Sequence, residues 1–460
     1  MPPKFGTSGL RGLVTELTPD LVADYTRAFL AACETGTGLY VGRDLRASSP
    51  RIAGDVIAAA RGEGVAVTDC GALPTPALAL AAMGQGAASL MVTGSHIPDD
   101  RNGLKFYTPS GELTKAGEQG IAAALGRASA GAAGPDVAEN DHAGGAFVAR
   151  YVAAFGRDAL AGARVGVYSH SAVGRDLLIA TLEALGADVV ELGRSGRFIP
   201  VDTEAVDQET RAQLASWAAG AGLDAIVSTD GDGDRPMVAD ASGQIVPGDV
   251  LGQITGATLG ARVAVTPVSS NTGAEAGGAF ARVIRTKIGS PFVIAAMEEV
   301  GGKVVGYEAN GGFLLGFDAD GPAGALPALM TRDSHLPILA PLVAARAGGV
   351  SLADLVADQP ARFTAADRLQ EVPTDRSRAL VARLTQDAAA RSAFLAEFGG
   401  AAVATDTTDG LRITLDTGRI IHLRPSGNAP ELRFYAEAES AAAARDFLAK
   451  GLGILATHVR

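Results

Sequence analysis

Residues 228–236 read STDGDGDRP and follow the apolar run DAIVS. Asp230, Asp232 and Asp234 alternate with glycine. Three carboxylates this close repel one another unless a cation holds them. Glycine between them lets the loop curl so that their oxygens point inward. Hard oxygen donors suit Mg²⁺ or Ca²⁺. An EF-hand register fails, because its sixth position falls on Arg235 and its twelfth on Ala241.

Four further polar loops carry chemistry-bearing residues. Residues 91–107, MVTGSHIPDDRNGLKFY, end an apolar run on Ser95 and His96, with Lys105 ten positions beyond Ser95 to neutralise an anion. Residues 5–12, FGTSGLRG, offer the Ser8 hydroxyl and the Arg11 guanidinium, a donor set for phosphate. Residues 424–433, RPSGNAPELR, place Arg424, Ser426, Gly427, Asn428 and Arg433 around a tight turn between two expected strands. Backbone N–H groups of such turns and arginine forks both take phosphate. Residues 306–313, GYEANGGF, set Glu308 and Asn310 among glycines, matched acceptors and donors for sugar hydroxyls. Each loop also has a plain reading as a solvated turn or hairpin. The remaining histidines show no metal-ligand spacing, and HExxH, GxGxxG, GxSxG and the P-loop pattern do not occur.

These loops need a scaffold. Residues 38–71 run strand, polar loop, amphipathic helix, Gly break, strand, and residues 164–193 repeat the pattern; both copies contain Gly-Arg-Asp. A looser third copy begins at 262, where ARVAVTP precedes a helical stretch, NTGAEAGGAFARVI. Strand runs alternating with helical periodicity predict βαβ units. Residues 411–438 instead read strand, Thr417-Gly418 turn, strand, loop, strand, with a helix from Ala441. The fold class expected is α/β: three related domains with mixed, mostly parallel sheets and a C-terminal α+β domain. Their bounds are set at 1–150, 151–255, 256–365 and 366–460. With 460 residues, one core would be too large.

Bulk properties narrow the function classes. A net charge of −12 argues against nonspecific attraction to nucleic acid or anionic membrane. Two cysteines give no disulfide framework and suit a reducing compartment. No apolar run is long enough to span a bilayer and no signal-type segment opens the chain, so the expected location is cytoplasmic.

Together the loops resemble the α-D-phosphohexomutase family, most similar to its bacterial phosphomannomutase branch. FGTSGLRG resembles the family's N-terminal loop, TGSHIP its phosphoserine loop, DGDGDR its metal loop and RPSGNAPELR its phosphate loop RPSGTEPxxR. They occur in family order from residue 5 to 433. The resemblance implies four domains around a central cleft. It implies a phosphoserine at Ser95 that joins Asp230, Asp232 and Asp234 around Mg²⁺. Arg11, Lys105 and Arg235 would lie near the transferred phosphoryl group. Ser8, Lys287 and Ser290 would line the site. Glu308 and Asn310 would meet the sugar, and Arg424, Ser426, Gly427, Asn428 and Arg433 the other phosphate. Three departures stand out: Ile97 for Asn, Asn428-Ala429 for Thr-Glu, and a sugar loop YEANGG where the family reads GExSGH. Gly312 thus replaces a histidine, which leaves Lys105 and His96 as candidates for proton transfer.

The implied reaction interconverts mannose 6-phosphate and mannose 1-phosphate through phospho-Ser95 and a hexose 1,6-bisphosphate, which also serves as activator. That step would supply GDP-mannose synthesis. Glucose or glucosamine phosphates are the competing substrates. A non-catalytic sugar-phosphate binder and a metal-dependent phosphatase are the readings from other classes. The expected partner is a hexose phosphate, with no nucleic acid and no membrane, and the chain is a monomer or homodimer.

Overall fold

The structure is a computed structural model that describes residues 3–6, 9–426 and 430–459. The chain divides into two compact units, residues 1–264 with 289–356, and residues 265–288 with 357–460.

The first unit opens on a mixed sheet. Leu39–Arg43 lies parallel between Val67–Ala72 and Ala88–Val92, while Arg101–Thr108 returns antiparallel beside Ala88–Val92 and pairs onward with Leu10–Leu13. The helices Pro19–Ala32 and Ser49–Gly62 cross it. Thr18 caps the former by accepting from the Leu21 N–H, and Pro19 occupies the first turn, where its missing donor costs nothing. The core gathers Phe29, Val41, Ile52, Val56, Leu90, Leu104 and Phe106. A central strand covered on both faces has no polar side to show, and Ala88–Val92 is buried throughout.

A second sheet runs Asp188–Leu192, Arg164–Tyr168, Ala225–Thr229 and Pro236–Asp240, parallel except for its last pair. The Asp loop is the turn of that antiparallel pair. Val304–Tyr307, Phe313–Leu315 and Leu329–Asp333 pair antiparallel in succession. The five residues between the first two of these are too few for a parallel crossover, and they are the Glu308 loop.

The second unit contains a five-stranded antiparallel sheet, in order Phe363–Leu369, Leu432–Ala438, Ile420–Pro425, Leu411–Leu415, Ala402–Asp406. Helices Thr374–Gln386, Ala388–Ala396 and Ala441–His458 accompany it, and Phe394, Leu423, Phe434 and Phe447 sit in its core. The helical pattern after 270 survives only as Gly273–Ala276, because Gly277 and Gly278 stop it before the strand Arg282–Thr286. The sheets are therefore mixed in the α/β part and purely antiparallel at the C-terminus. Among the described residues no helix is long and apolar enough to cross a membrane. Both cysteines are free thiols.

One buried group has a measurable pH signature. His335 opens the helix His335–Gly348 and packs 4.8 Å from the Phe147 ring and 5.7 Å from Tyr151. Burial lowers its pKa to about 3. The same imidazole in the unfolded chain protonates near pH ~6.5. As pH falls the unfolded state binds the proton first, so stability is full above about pH 6.5 and drains away toward about pH 3. Between about pH 6.5 and 5 this one group costs about 2 kcal/mol. His335→Gln is expected to lose less Tm than the parent between about pH 7 and about pH 5. Equal losses by calorimetry would refute the assignment.

Candidate active site

The Ser95 loop is built before it is used. Ser95 has φ 54°, a left-handed conformation uncommon for a residue with a side chain. Several contacts hold it there. Thr93 Oγ1 accepts the Ser95 N–H at 2.7 Å and itself donates to Asp44 Oδ2 at 2.7 Å. Arg46, fully buried and ion-paired to Asp44, donates to the carbonyls of Ser95, Ile97, Pro98 and Arg101 at 2.6–3.0 Å. One buried guanidinium thus holds four carbonyls of the loop, and its face is covered by the Phe198 ring at 3.8 Å.

The fixed loop presents Ser95 Oγ to the acidic triplet, where it donates to Asp230 Oδ2 at 2.6 Å. Close approach explains Gly231: a Cβ there would stand 2.6 Å from the Ser95 carbonyl oxygen. Asp230 Oδ1 accepts the N–H groups of Gly233, Asp234 and Arg235 at 3.1–3.2 Å, which curls the loop around its own first carboxylate. Asp232 Oδ2 accepts from Thr75 Oγ1 and from Lys105 Nζ, each at 2.6 Å. Asp234 Oδ2 accepts from Lys105 Nζ at 2.5 Å and from Arg332 Nη2 at 2.9 Å.

All three aspartates are buried, and one oxygen from each lies within 4.8 Å of the others. Asp232 Oδ1 and Asp234 Oδ1 are buried without a hydrogen-bond partner. Burial, then the neighbouring Asp232 and Asp234 charges, push the Asp230 carboxyl well above the usual range. Burial pushes Asp232 the same way, but the Lys105 ammonium outweighs it and holds that carboxyl below the usual range. An extra divalent charge would allow all three to ionise, and two orphaned carboxylate oxygens beside a third are the donors that a hard cation takes. The residues fit Mg²⁺.

Cations and one imidazole complete this part of the first unit. Burial of the Arg11 guanidinium, and next the like charge of Arg235, lower its pKa to about 10, so it stays charged at neutral pH. Arg235 Nη1 lies 3.0 Å from His96 Nδ1, and Ser95 Oγ lies 3.2 Å from the same nitrogen. Burial, then Arg235, Arg11 and Lys105, lower the His96 pKa to about 2. His96 is therefore neutral, and its Nδ1 is an acceptor because arginine can only donate. Glu308 and Asn310 are buried, and burial raises the Glu308 pKa against the pull of Arg332 and Arg235. Ser290 Oγ donates to Glu112 Oε2 at 2.6 Å, so its hydroxyl is committed to a protein carboxylate.

The second unit holds the phosphate-loop residues. Arg424 Nε donates to Asp409 Oδ2 at 2.8 Å, the oxygen that also accepts the Ile288 N–H at 3.1 Å next to the exposed Lys287. Arg424 and Arg433 stand opposite each other in adjacent strands. The Ser426 N–H donates to the Glu431 carbonyl at 2.9 Å, and Arg433 Nη2 lies 3.9 Å from Glu431 Oε2. Ser8, Gly427 and Asn428 lie outside the described residues.

Four family models match the chain in order. They are described as phosphoglucomutase/phosphomannomutase alpha/beta/alpha domains I, II and III, at residues 2–131, 147–243 and 248–363, and the C-terminal domain of the same family, at 372–450. The chain belongs to this family. A phosphomannomutase of Sinorhizobium fredii is 46% identical over 99% of both chains. One from Salmonella muenchen is 43% identical over 95% of this chain and 92% of its own. The crystal structure of a phosphoglucomutase/phosphomannomutase family protein from Burkholderia thailandensis superposes with a TM-score of 0.78, covering 98% of this chain and 97% of that one. At 22% identity, that likeness speaks to the fold alone.

Within this family's fold, sequence reasoning passed over four residues that the packing makes prominent: Arg46, Thr75, Glu112 and Arg332. Arg332 sits beside Asp333 at the end of the strand Leu329–Asp333, and Arg46 follows Asp44 just after the strand Leu39–Arg43. Each stands within two residues of an aspartate, so neither reads as a lone charge in an apolar stretch, and their burial is set by partners far along the chain.

Proposed function

We propose that the chain is a phosphomannomutase that interconverts mannose 6-phosphate and mannose 1-phosphate through a phosphoserine at Ser95 and a hexose 1,6-bisphosphate. The observation that carries this reading is Ser95 Oγ, 2.6 Å from Asp230 Oδ2 at the rim of a buried three-carboxylate site. The choice of mannose rests on the two phosphomannomutase relatives at 46% and 43% identity.

In the proposed reaction Ser95 Oγ carries the phosphoryl group. A sugar hydroxyl attacks phosphorus, the bond from phosphorus to Ser95 Oγ breaks, and the proton the hydroxyl loses is balanced by the one Ser95 Oγ takes up. The bisphosphate then turns, and Ser95 Oγ takes the other phosphoryl group in the reverse step. Asp230, Asp232 and Asp234 would hold Mg²⁺, which when bound neutralises charge on the transferred phosphoryl group. Arg11, Arg235 and Lys105 supply fixed positive charge around the same oxygens. His96 Nδ1, its pKa lowered to about 2 and already accepting from Arg235, has no proton to give at neutral pH and is a poor base. Lys105 is the remaining donor. Glu308 and Asn310 pair with sugar hydroxyls. Lys287, Arg424, Ser426 and Arg433, with Gly427 and Asn428 of the same loop, bind the phosphate that is not in transfer, and Ser8 and Ser290 line the substrate. A trace of hexose 1,6-bisphosphate rephosphorylates any Ser95 lost to water. The four domains divide at 1–150, 151–255, 256–365 and 366–460, and the protein acts in the cytoplasm upstream of GDP-mannose, as a monomer or homodimer.

The deciding experiment supplies the purified protein with Mg²⁺, a trace of glucose 1,6-bisphosphate, and mannose, glucose or glucosamine 1-phosphate side by side. The expected result is a higher kcat/KM for mannose 1-phosphate than for the other two, with intact mass showing one phosphoryl group on the chain. A preference for glucose or glucosamine phosphate would reassign the substrate within the family. Steady phosphate release without interconversion would replace the mutase reading by a phosphatase.

A further inference from the structure

Gly312 has no conformational reason to be glycine. Its φ lies outside the left-handed region that favours glycine. Space is the constraint. A Cβ on Gly312 would stand 2.8 Å from Arg332 Cδ, 3.1 Å from Arg332 Cγ and 3.2 Å from Asn310 Oδ1. The volume that a side chain at 312 would need is already filled by the stem of an arginine.

That arginine reaches three carboxylates of the first unit's site. Arg332 is 2% exposed. Its Nε donates to Glu112 Oε1 at 3.1 Å, its Nη2 reaches Asp234 Oδ2 at 2.9 Å, and its Nη1 stands 3.7 Å from Glu308 Oε2. The Arg332 backbone N–H donates to the same Glu112 oxygen at 3.1 Å. Glu112 in turn accepts from Ser290, so the anchor end is fully engaged. The guanidinium fork thus spans the metal-loop carboxylate and the sugar-loop carboxylate, with Glu112 fixing its root. Its position is set by four contacts and by the absence of a side chain at 312.

We propose that Arg332 is a positioning and specificity-determining residue, whose guanidinium aims the Glu308 carboxylate at the sugar and whose stem occupies the volume in which the family pattern carries a histidine. The inference rests on the proposed sugar role of Glu308. An ionised carboxylate only accepts hydrogen bonds, so a fixed Glu308 selects a pair of sugar hydroxyl donors by their directions. With the Arg332 stem in this place, a histidine at 312 has no room for its side chain.

The test is a double-mutant cycle on Gly312→Ala and Arg332→Ala, read in the Kd for mannose 6-phosphate and glucose 6-phosphate. Calorimetry on the full chain kept in EDTA gives that Kd, and Tm is measured in parallel. Gly312→Ala leaves every charge in place and is expected to weaken mannose 6-phosphate binding by about tenfold by pushing the arginine stem. In the Arg332→Ala background the same change is expected to alter Kd by less than about twofold, because its obstacle is gone. Equal effects of Gly312→Ala in both backgrounds, or no effect in the parent, would overturn the proposal. Should Arg332→Ala fail to fold, Gly312→Ala alone decides: a weaker Kd with Tm within a few degrees of the parent supports it, and an unchanged Kd refutes it. Arg332→Lys keeps the charge and loses the fork, so it should regain part of the affinity lost in Arg332→Ala. A parent that binds both sugars in EDTA yet shows no turnover once Mg²⁺ and glucose 1,6-bisphosphate are supplied refutes the mutase reading and still reports on Arg332. A parent that binds neither refutes both.

Discussion

Ser95→Ala is expected to abolish interconversion, lowering kcat by about 10⁴-fold or more, because a covalent carrier has no substitute in its own position. The fold should survive. Alanine removes one hydroxyl that donates to Asp230 Oδ2, a loss of about 1–2 kcal/mol for one buried hydrogen bond. The left-handed backbone adds little to this, since serine and alanine both carry a Cβ there. The Thr93 and Arg46 contacts that hold residue 95 go to its backbone and remain intact. Tm should therefore stay within several degrees of the parent, and hexose 6-phosphate binding should persist. Intact mass should show the parent one phosphoryl group heavier than its sequence and the variant unmodified. Turnover retained by Ser95→Ala would end the phosphoserine mechanism. An unmutated protein that binds but never turns over would identify a non-catalytic relative.

Metal removal is expected to have the second largest effect. Chelation with EDTA should lower kcat by about 10³-fold, the scale of several kcal/mol of lost charge stabilisation. Excess Mg²⁺ should restore the parent. Asp232→Asn should not be restored, because the amide keeps an oxygen but gives up the charge that balances the cation. Lys105 keeps its contact to Asp234 in that variant, so the local ion pair is halved rather than lost. A readout independent of turnover is available. Mg²⁺ should raise the Tm of the parent in proportion to its occupancy, and Asp232→Asn should blunt that rise. Activity indifferent to EDTA, or an equal Tm rise in both proteins, would remove the triplet from the mechanism.

The first experiment concerns a pairing between residues 135 positions apart, and both bear on what a linear sequence can encode. The acidic triplet was legible because its members are neighbours: repulsion among Asp230, Asp232 and Asp234 is a local fact. Strands such as Leu39–Arg43 and helices such as Ser49–Gly62 were legible for the same reason, since the side-chain period that buries one face is written within a dozen residues. The short helix Gly273–Ala276 shows the limit of that rule, because paired glycines cut the pattern that apolar spacing suggested.

The sequence by itself determined the elements, their order, the loops that carry chemistry and the departure at Gly312. Only the tertiary structure decided who meets whom. Nothing in the spacing of Thr75, Glu112 or Arg332 connects them to the Asp loop, yet Thr75 and Lys105 share Asp232, and Arg332 joins Asp234 to Glu112 and Glu308. It also turned Gly312 from a missing side chain into a filled volume. The physical reason is range. Periodicity and like-charge repulsion act between near neighbours, whereas the pairing of a buried charge is settled by whichever distant partner packing brings within about 3–4 Å.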